Sequence, residues 1–162
     1  MIVLGIDPGT ASTGFGVVAR SGERLVALDG GVVTTDPAHP LERRLSTIHA
    51  RLAELLDEHQ PGAVAVEELY FGANVKTAFA VGHARGVALL AAGQRGLPCR
   101  SYTPQQVKGA VCGSGRAGKE QVQRMVAALL ALPGPPADDH ASDALAVAVC
   151  HHNHAPLQAA LA

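Results

Sequence analysis

The sequence predicts a mixed α/β fold, a five-stranded sheet flanked by helices. Three observations carry that reading. The chain opens with three apolar, strand-like runs separated by short turns, as in an antiparallel meander. A helical repeat of leucines follows, and beyond it two more short apolar runs alternate with helical segments, the signature of β-α-β units. At 162 residues the chain has the size of one domain, assigned here to residues 1–155 with a short tail at 156–162.

The elements follow in order. Residues 2–6 (IVLGI) and 14–20 (GFGVVAR) read as two strands joined through the Pro8–Gly9 turn, and 25–34 (LVALDGGVVT) as a third with a Gly-Gly irregularity. Leu41, Leu45, Ile48, Leu52, Leu55 and Leu56 recur at helical spacing and mark an amphipathic helix that ends before Pro61. AVAVEE at 63–68 hardly alternates, so it reads as a buried strand. An Ala/Val/Leu-rich helix spans 74–93 with Asn74 as its N-cap, and PCRSYTP at 98–104 is the fifth strand, stopped by Pro104. Helices at about 104–111 and 118–131 precede the Pro/Gly break LPGPPA, after which the last helix opens at Asp138–Asp139.

Composition bounds the function. Hydrophobic residues make up 48% and aromatics 3%, with no Trp, so the core must be built from Ala, Val and Leu. No apolar run reaches about 18 residues and no signal-like segment opens the chain, which leads us to expect a cytoplasmic protein without a membrane span. Cys99, Cys112 and Cys150 show no C-x-x-C spacing and read as buried small hydrophobes. The formal charge of −1 conceals a division: from Phe71 to Ala137 there are eight basic residues and one acid, whereas the remainder has five basic and thirteen acidic residues. One face suited to a polyanion and another supplying carboxylates would produce that asymmetry.

The acids raise the chemical question. In GIDPGTASTGFG, Asp7 ends an apolar strand and is followed by a Gly/Thr/Ser turn. Such a stretch serves a metal-dependent phosphodiesterase or an ATPase that cradles phosphate, but ATPases of the actin and sugar-kinase type close two lobes over the nucleotide. This chain has the length of one. Glu67 stands at the end of the fourth strand, where a buried acid needs a partner or a metal. His140 and Asp143, three apart, share one face of the last helix, while Asp138 and Asp139 suit its cap. Taken singly, Asp7 also fits an Asx turn, Glu67 a first wet residue and His140 a surface histidine. Together, three carboxylates and an imidazole suit one or two ions of the Mg²⁺ or Mn²⁺ kind, which act on phosphodiesters.

Along nearly its whole length the chain resembles the RuvC-type Holliday junction resolvases of bacteria. The resemblance runs from IDPGTASTGFGV through AVEELYFGANVKTAFAVGHARGVALLAA and YTPQQVKGAVCGSGRAGKEQV to LPGPPADDHASDALAVAV. It implies an RNase H-like fold, a homodimer, and divalent-metal-dependent nicking of four-way DNA junctions in recombination and repair. Paired symmetric cuts would leave 5′-phosphate and 3′-hydroxyl ends, and the family commonly works with the RuvA–RuvB motor. The carry-over assigns metal binding to Asp7, Glu67 and Asp143, with His140 where many relatives have a fourth carboxylate, and expects two ions, Mg²⁺ or Mn²⁺. It places Tyr70, with Phe71 beside it, against unpaired bases at the crossover, and Lys108 and Lys119 at basic positions near phosphate. Charge alone extends that track to Arg116 and Arg124. Two other readings remain: a related RNase H-like nuclease on another substrate, and a junction-binding protein that does not cut.

Overall fold

A computed structural model gives the backbone of residues 1–68 and 75–160 and the side chains of these residues up to 154. Its strands are β1 (Ile2–Asp7), β2 (Ser12–Ser21), β3 (Arg24–Thr34), β4 (Ala63–Glu67) and β5 (Cys99–Tyr102). The helices are α1 (Leu41–His59), α2 (Val75–Gly93), α3 (Pro104–Cys112), α4 (Lys119–Leu129) and α5 (Asp139–Ala160). α5 thus continues into the segment set apart above as a tail.

The strands form one mixed sheet in the order β3-β2-β1-β4-β5. β1 pairs antiparallel with β2 and parallel with β4, so the first strand lies at the centre. That explains why IVLGI is apolar at every position: both of its faces are covered. The two-residue period sorts them. Leu4 and Ile6, with Phe15, Val17, Val64 and Val66, face α1 and α2, while Val3, Val18 and Ala65 face α3, α4 and α5.

The irregularity in β3 differs from expectation. The register shifts opposite Val17 and Val18, leaving Leu28 as the extra residue, whereas Gly30 and Gly31 pair regularly with Gly16 and Phe15. A side chain at Gly31 would press on the Phe15 ring, so that glycine serves packing rather than a bulge. Pro104 ends no strand directly. It is the first residue of α3, whose start is fixed by a capping box between Thr103 and Gln106. Of the cysteines, Cys150 is buried and Cys99 and Cys112 are only partly so; all three are free.

Candidate active site

Asp7, Glu67, His140 and Asp143 come together because of register. In β1 the row facing α5 is Val3, Gly5, Asp7, and in β4 it is Ala65, Glu67. The parallel register sets Ile6 beside Val66, so the next residues, Asp7 and Glu67, end neighbouring strands on one face. α5 crosses that face, and its first turn lies against Gly14, the cross-strand partner of Asp7. Asp138 caps the helix, its Oδ1 accepting from the His140 and Ala141 N–H groups at 2.7 and 3.4 Å. Asp139, the other expected cap, instead pairs with Lys119 at 2.8 Å and accepts a bond from Gln123 at 2.7 Å.

The sequence reading missed what seats this helix. A Cβ at Gly5 would overlap the Ala144 carbonyl, one at Gly14 the His140 carbonyl, and one at Gly16 would lie 2.7 Å from the Leu145 side chain. Three strand glycines therefore let the α5 backbone rest directly on β1 and β2. The signal was present as glycines spaced two apart in GFG, a period that puts both on one face.

The groups interact strongly. His140 Nδ1 lies 2.8 Å from Asp7 Oδ2, with the Asp7 side chain 15% exposed and His140 47%. Burial, the charges of Asp7 and Asp143, and a hydrogen bond with Asp7 push the Glu67 carboxyl up to about 8, against a smaller opposing effect of Lys108. Asp143 is also raised, by burial and by Asp7, with Lys119 opposing. Near neutrality Glu67 therefore favours its protonated form, which a bound cation would reverse, and the oxygen-rich donor set suits a hard divalent ion in its chemistry. Among the described residues no three acid, imidazole or thiol side chains are already gathered as an ion cluster. Asp7 is turned toward His140 and Glu67 favours its protonated form, and both must change for an ion to be held.

Beside Glu67 and Asp143 opens a cleft of about 170 Å³, lined also by Pro104, Val107, Lys108, Lys119, Val122 and Ala146. Lys108 stands in the second turn of α3, whose start the Thr103–Gln106 capping box fixes, and Lys119 is the first residue of α4. Arg116 and Arg124 are exposed and line no part of this cleft. Tyr70 and Phe71 lie outside the described residues. The turn after Asp7 is tied down by side chains of the elements around it. The Thr13 hydroxyl donates to the Gly9 carbonyl at 2.6 Å, Thr35 donates to the Thr10 carbonyl at 2.5 Å, and Arg44 donates to Thr35 at 2.8 Å.

A mixed sheet with acids ending two adjacent parallel strands, crossed by a helix bearing a third, defines an RNase H-like nuclease. The family model described as crossover junction endodeoxyribonuclease RuvC matches residues 3–151. The chain is similar to proteins of that description from Thermomicrobium roseum, 56% identical over 95% of this chain and 94% of the other. It is likewise similar to one from Pelotomaculum thermopropionicum, 51% identical over 95% and 94%. A solved structure of Thermus thermophilus RuvC in complex with a Holliday junction substrate superposes with a TM-score of 0.93 at 44% identity, covering 98% of this chain and 96% of that one. The chain belongs to the RuvC family of crossover junction endodeoxyribonucleases.

Proposed function

We propose that Asp7, Glu67, His140 and Asp143 perform the junction-resolving hydrolysis that membership of this family assigns to the chain. The observation that carries this is the meeting of Asp7, Glu67 and Asp143 at one sheet edge, where burial and then the charges of Asp7 and Asp143 raise the Glu67 carboxyl. The four side chains hold two divalent ions, Mg²⁺ or Mn²⁺. When bound, such ions supply Lewis-acid stabilisation of a phosphodiester and an ionised water. The chain's own residues do the rest. Asp7 and Glu67 are carried by adjacent strands of the ladder and Asp143 by α5, so the backbone brings the donors to one sheet edge and leaves only side-chain adjustment and loss of the Glu67 proton for an ion to be held. Val107, Val122 and Ala146 line the cleft wall with apolar surface, and Lys108 and Lys119 present cations to the phosphate. Tyr70, beside Phe71, stacks on unpaired bases at the crossover, and Arg116 and Arg124 extend the contact to backbone phosphates farther out.

Two subunits make paired symmetric nicks, leaving 5′-phosphate and 3′-hydroxyl ends, in the cytoplasm and alongside the RuvA–RuvB motor. The dimer reading is supported by α2. Val75, Phe79 and Leu90 are 68%, 66% and 54% exposed along a stripe that also carries Gly82, Gly86 and Gly93, each with open space around it. An apolar stripe with such gaps suits close approach of a second copy. No described helix is long and apolar enough to cross a membrane.

The test is incubation of the protein with a mobile four-way junction, a linear duplex and an RNA–DNA hybrid, each with Mg²⁺, Mn²⁺ or EDTA. Cutting of the junction alone, only with metal, is expected. Preferential cutting of the hybrid would favour another nuclease of the same fold, and tight junction binding without cutting in any metal would make the protein a binding module.

A further inference from the structure

We infer that Gly14 is a positioning residue for the metal-binding side chains, acting through the backbone of His140; the inference rests on the metal reading above. Gly14 is the direct cross-strand partner of Asp7 in the β1–β2 ladder. The three nearest atoms to a Cβ at this position would all belong to His140: its carbonyl oxygen, its carbonyl carbon at 2.5 Å and its Cβ at 3.0 Å. The first turn of α5 therefore rests on the bare backbone of Gly14, and from that seat the His140 ring reaches one strand across to Asp7, 2.8 Å away.

The seat has a distinctive place along the helix. Gly5 supports Ala144 and Ala148 farther along, and Gly16 supports Leu145, so those contacts anchor the body of α5. Gly14 alone among these three meets the turn that carries His140 and precedes Asp143. A methyl group there cannot be absorbed by a flexible side chain, because what it meets is mainly backbone. With the helix body anchored at Gly5 and Gly16, the relief available is a tilt of the first turn or a local displacement of β2, either by about 1 Å. Displacements of that size at a reacting centre cost on the order of 100-fold in rate. Gly30 provides the contrast, since a Cβ there would lie 3.5 Å from the Leu145 side chain, an ordinary contact with the same helix.

The test compares the parent, Gly14→Ala and Gly30→Ala in three measurements: Mn²⁺ affinity from the electron paramagnetic resonance signal of the free ion, junction affinity in EDTA, and turnover at saturating junction and metal. For Gly14→Ala the expected result is Mn²⁺ affinity weakened at least tenfold and turnover lowered roughly 100-fold, with junction affinity unchanged. Gly30→Ala should match the parent throughout. Should Gly14→Ala fail to fold, Asp138→Ala decides, because it loosens the same exposed turn by removing its cap. That variant should weaken Mn²⁺ binding severalfold and leave junction affinity intact. A folded Gly14→Ala with parental Mn²⁺ affinity and turnover overturns the inference, as does Asp138→Ala with parental Mn²⁺ affinity where Gly14→Ala is unfolded. A parent that binds no Mn²⁺ overturns the metal reading itself, and the inference with it.

Discussion

His140 Nδ1 and Asp7 Oδ2, 133 residues apart in the chain, lie 2.8 Å from each other across the junction of α5 and the sheet. This contact binds the helix that supplies two of the four proposed ligands to the strand that supplies a third. With Nδ1 facing Asp7, the other ring nitrogen is the one whose lone pair is available to an ion, in the manner of a metal-bound histidine oriented by a carboxylate. His140→Asp should keep activity and shift preference from Mn²⁺ toward Mg²⁺, since an oxygen donor replaces a nitrogen. His140→Ala should be severely impaired. Initial rates across a titration of each metal check both, and parental behaviour of the alanine variant would remove His140 from the site.

Replacement of the acids should separate cutting from binding. Asp7→Asn, Glu67→Gln and Asp143→Asn each remove the charge of a proposed metal ligand while leaving the lysines in place. Cutting should fall by more than the roughly 10–100-fold typical of outer-shell changes, and junction affinity in EDTA should hold or rise slightly as repulsion from the phosphates drops. Parallel loss of binding and cutting in all three would mean that the acids are structural.

The elevation of Glu67 to about 8 gives a pH dependence with a definite sign. Because the carboxyl titrates near 4.5 when unfolded and higher in the native state, the metal-free native protein retains a proton that the unfolded chain has lost. Its stability contribution is full at acid pH and declines as pH rises toward 8. Thermal melts in EDTA should therefore show a falling midpoint over that range, and saturating metal should flatten the trend. Metal binding must also release protons near neutrality, so apparent affinity should increase with pH up to about 8. Calorimetry in buffers of different ionisation enthalpy measures that release directly.

The two lysines of the cleft should not behave alike. Lys119 is held by Asp139 at 2.8 Å, whereas Lys108 is half-buried and lowers the Glu67 carboxyl against the other influences. Lys108→Ala should slow cutting more than Lys119→Ala. Where either ammonium touches a phosphate directly, its removal should reduce the slope of log affinity against log salt by about one unit. Equal rates in the two variants would contradict the distinction drawn from their surroundings.

Most of the architecture was legible because the apolar pattern of each strand reports how many of its faces are covered. IVLGI and AVAV are continuous, and they prove to be the neighbouring central strands β1 and β4. Asp7 and Glu67 stood out as acids ending such runs. Their common face was a matter of register, which neither strand displays alone. The seating of α5 on Gly5, Gly14 and Gly16 was hidden for another reason: glycine in a strand signals close approach without naming what approaches. The division of labour between Asp138 and Asp139 likewise depends on where α4 places Lys119 and Gln123, a tertiary fact absent from local capping rules. Gly30–Gly31 misled because a glycine pair suggests a bulge, whereas both pair regularly in the ladder and Gly31 makes room for the Phe15 ring.

Whether Asp7, Glu67, His140 and Asp143 jointly hold the divalent ions is answered by anomalous scattering from crystals soaked in Mn²⁺. Two peaks are expected at this sheet edge, with carboxylate oxygens of Asp7, Glu67 and Asp143 and a ring nitrogen of His140 at coordination distances of roughly 2.0–2.3 Å. Mn²⁺ bound elsewhere, with these four side chains left as they are without metal in a preparation that still cuts junctions, would contradict the assignment.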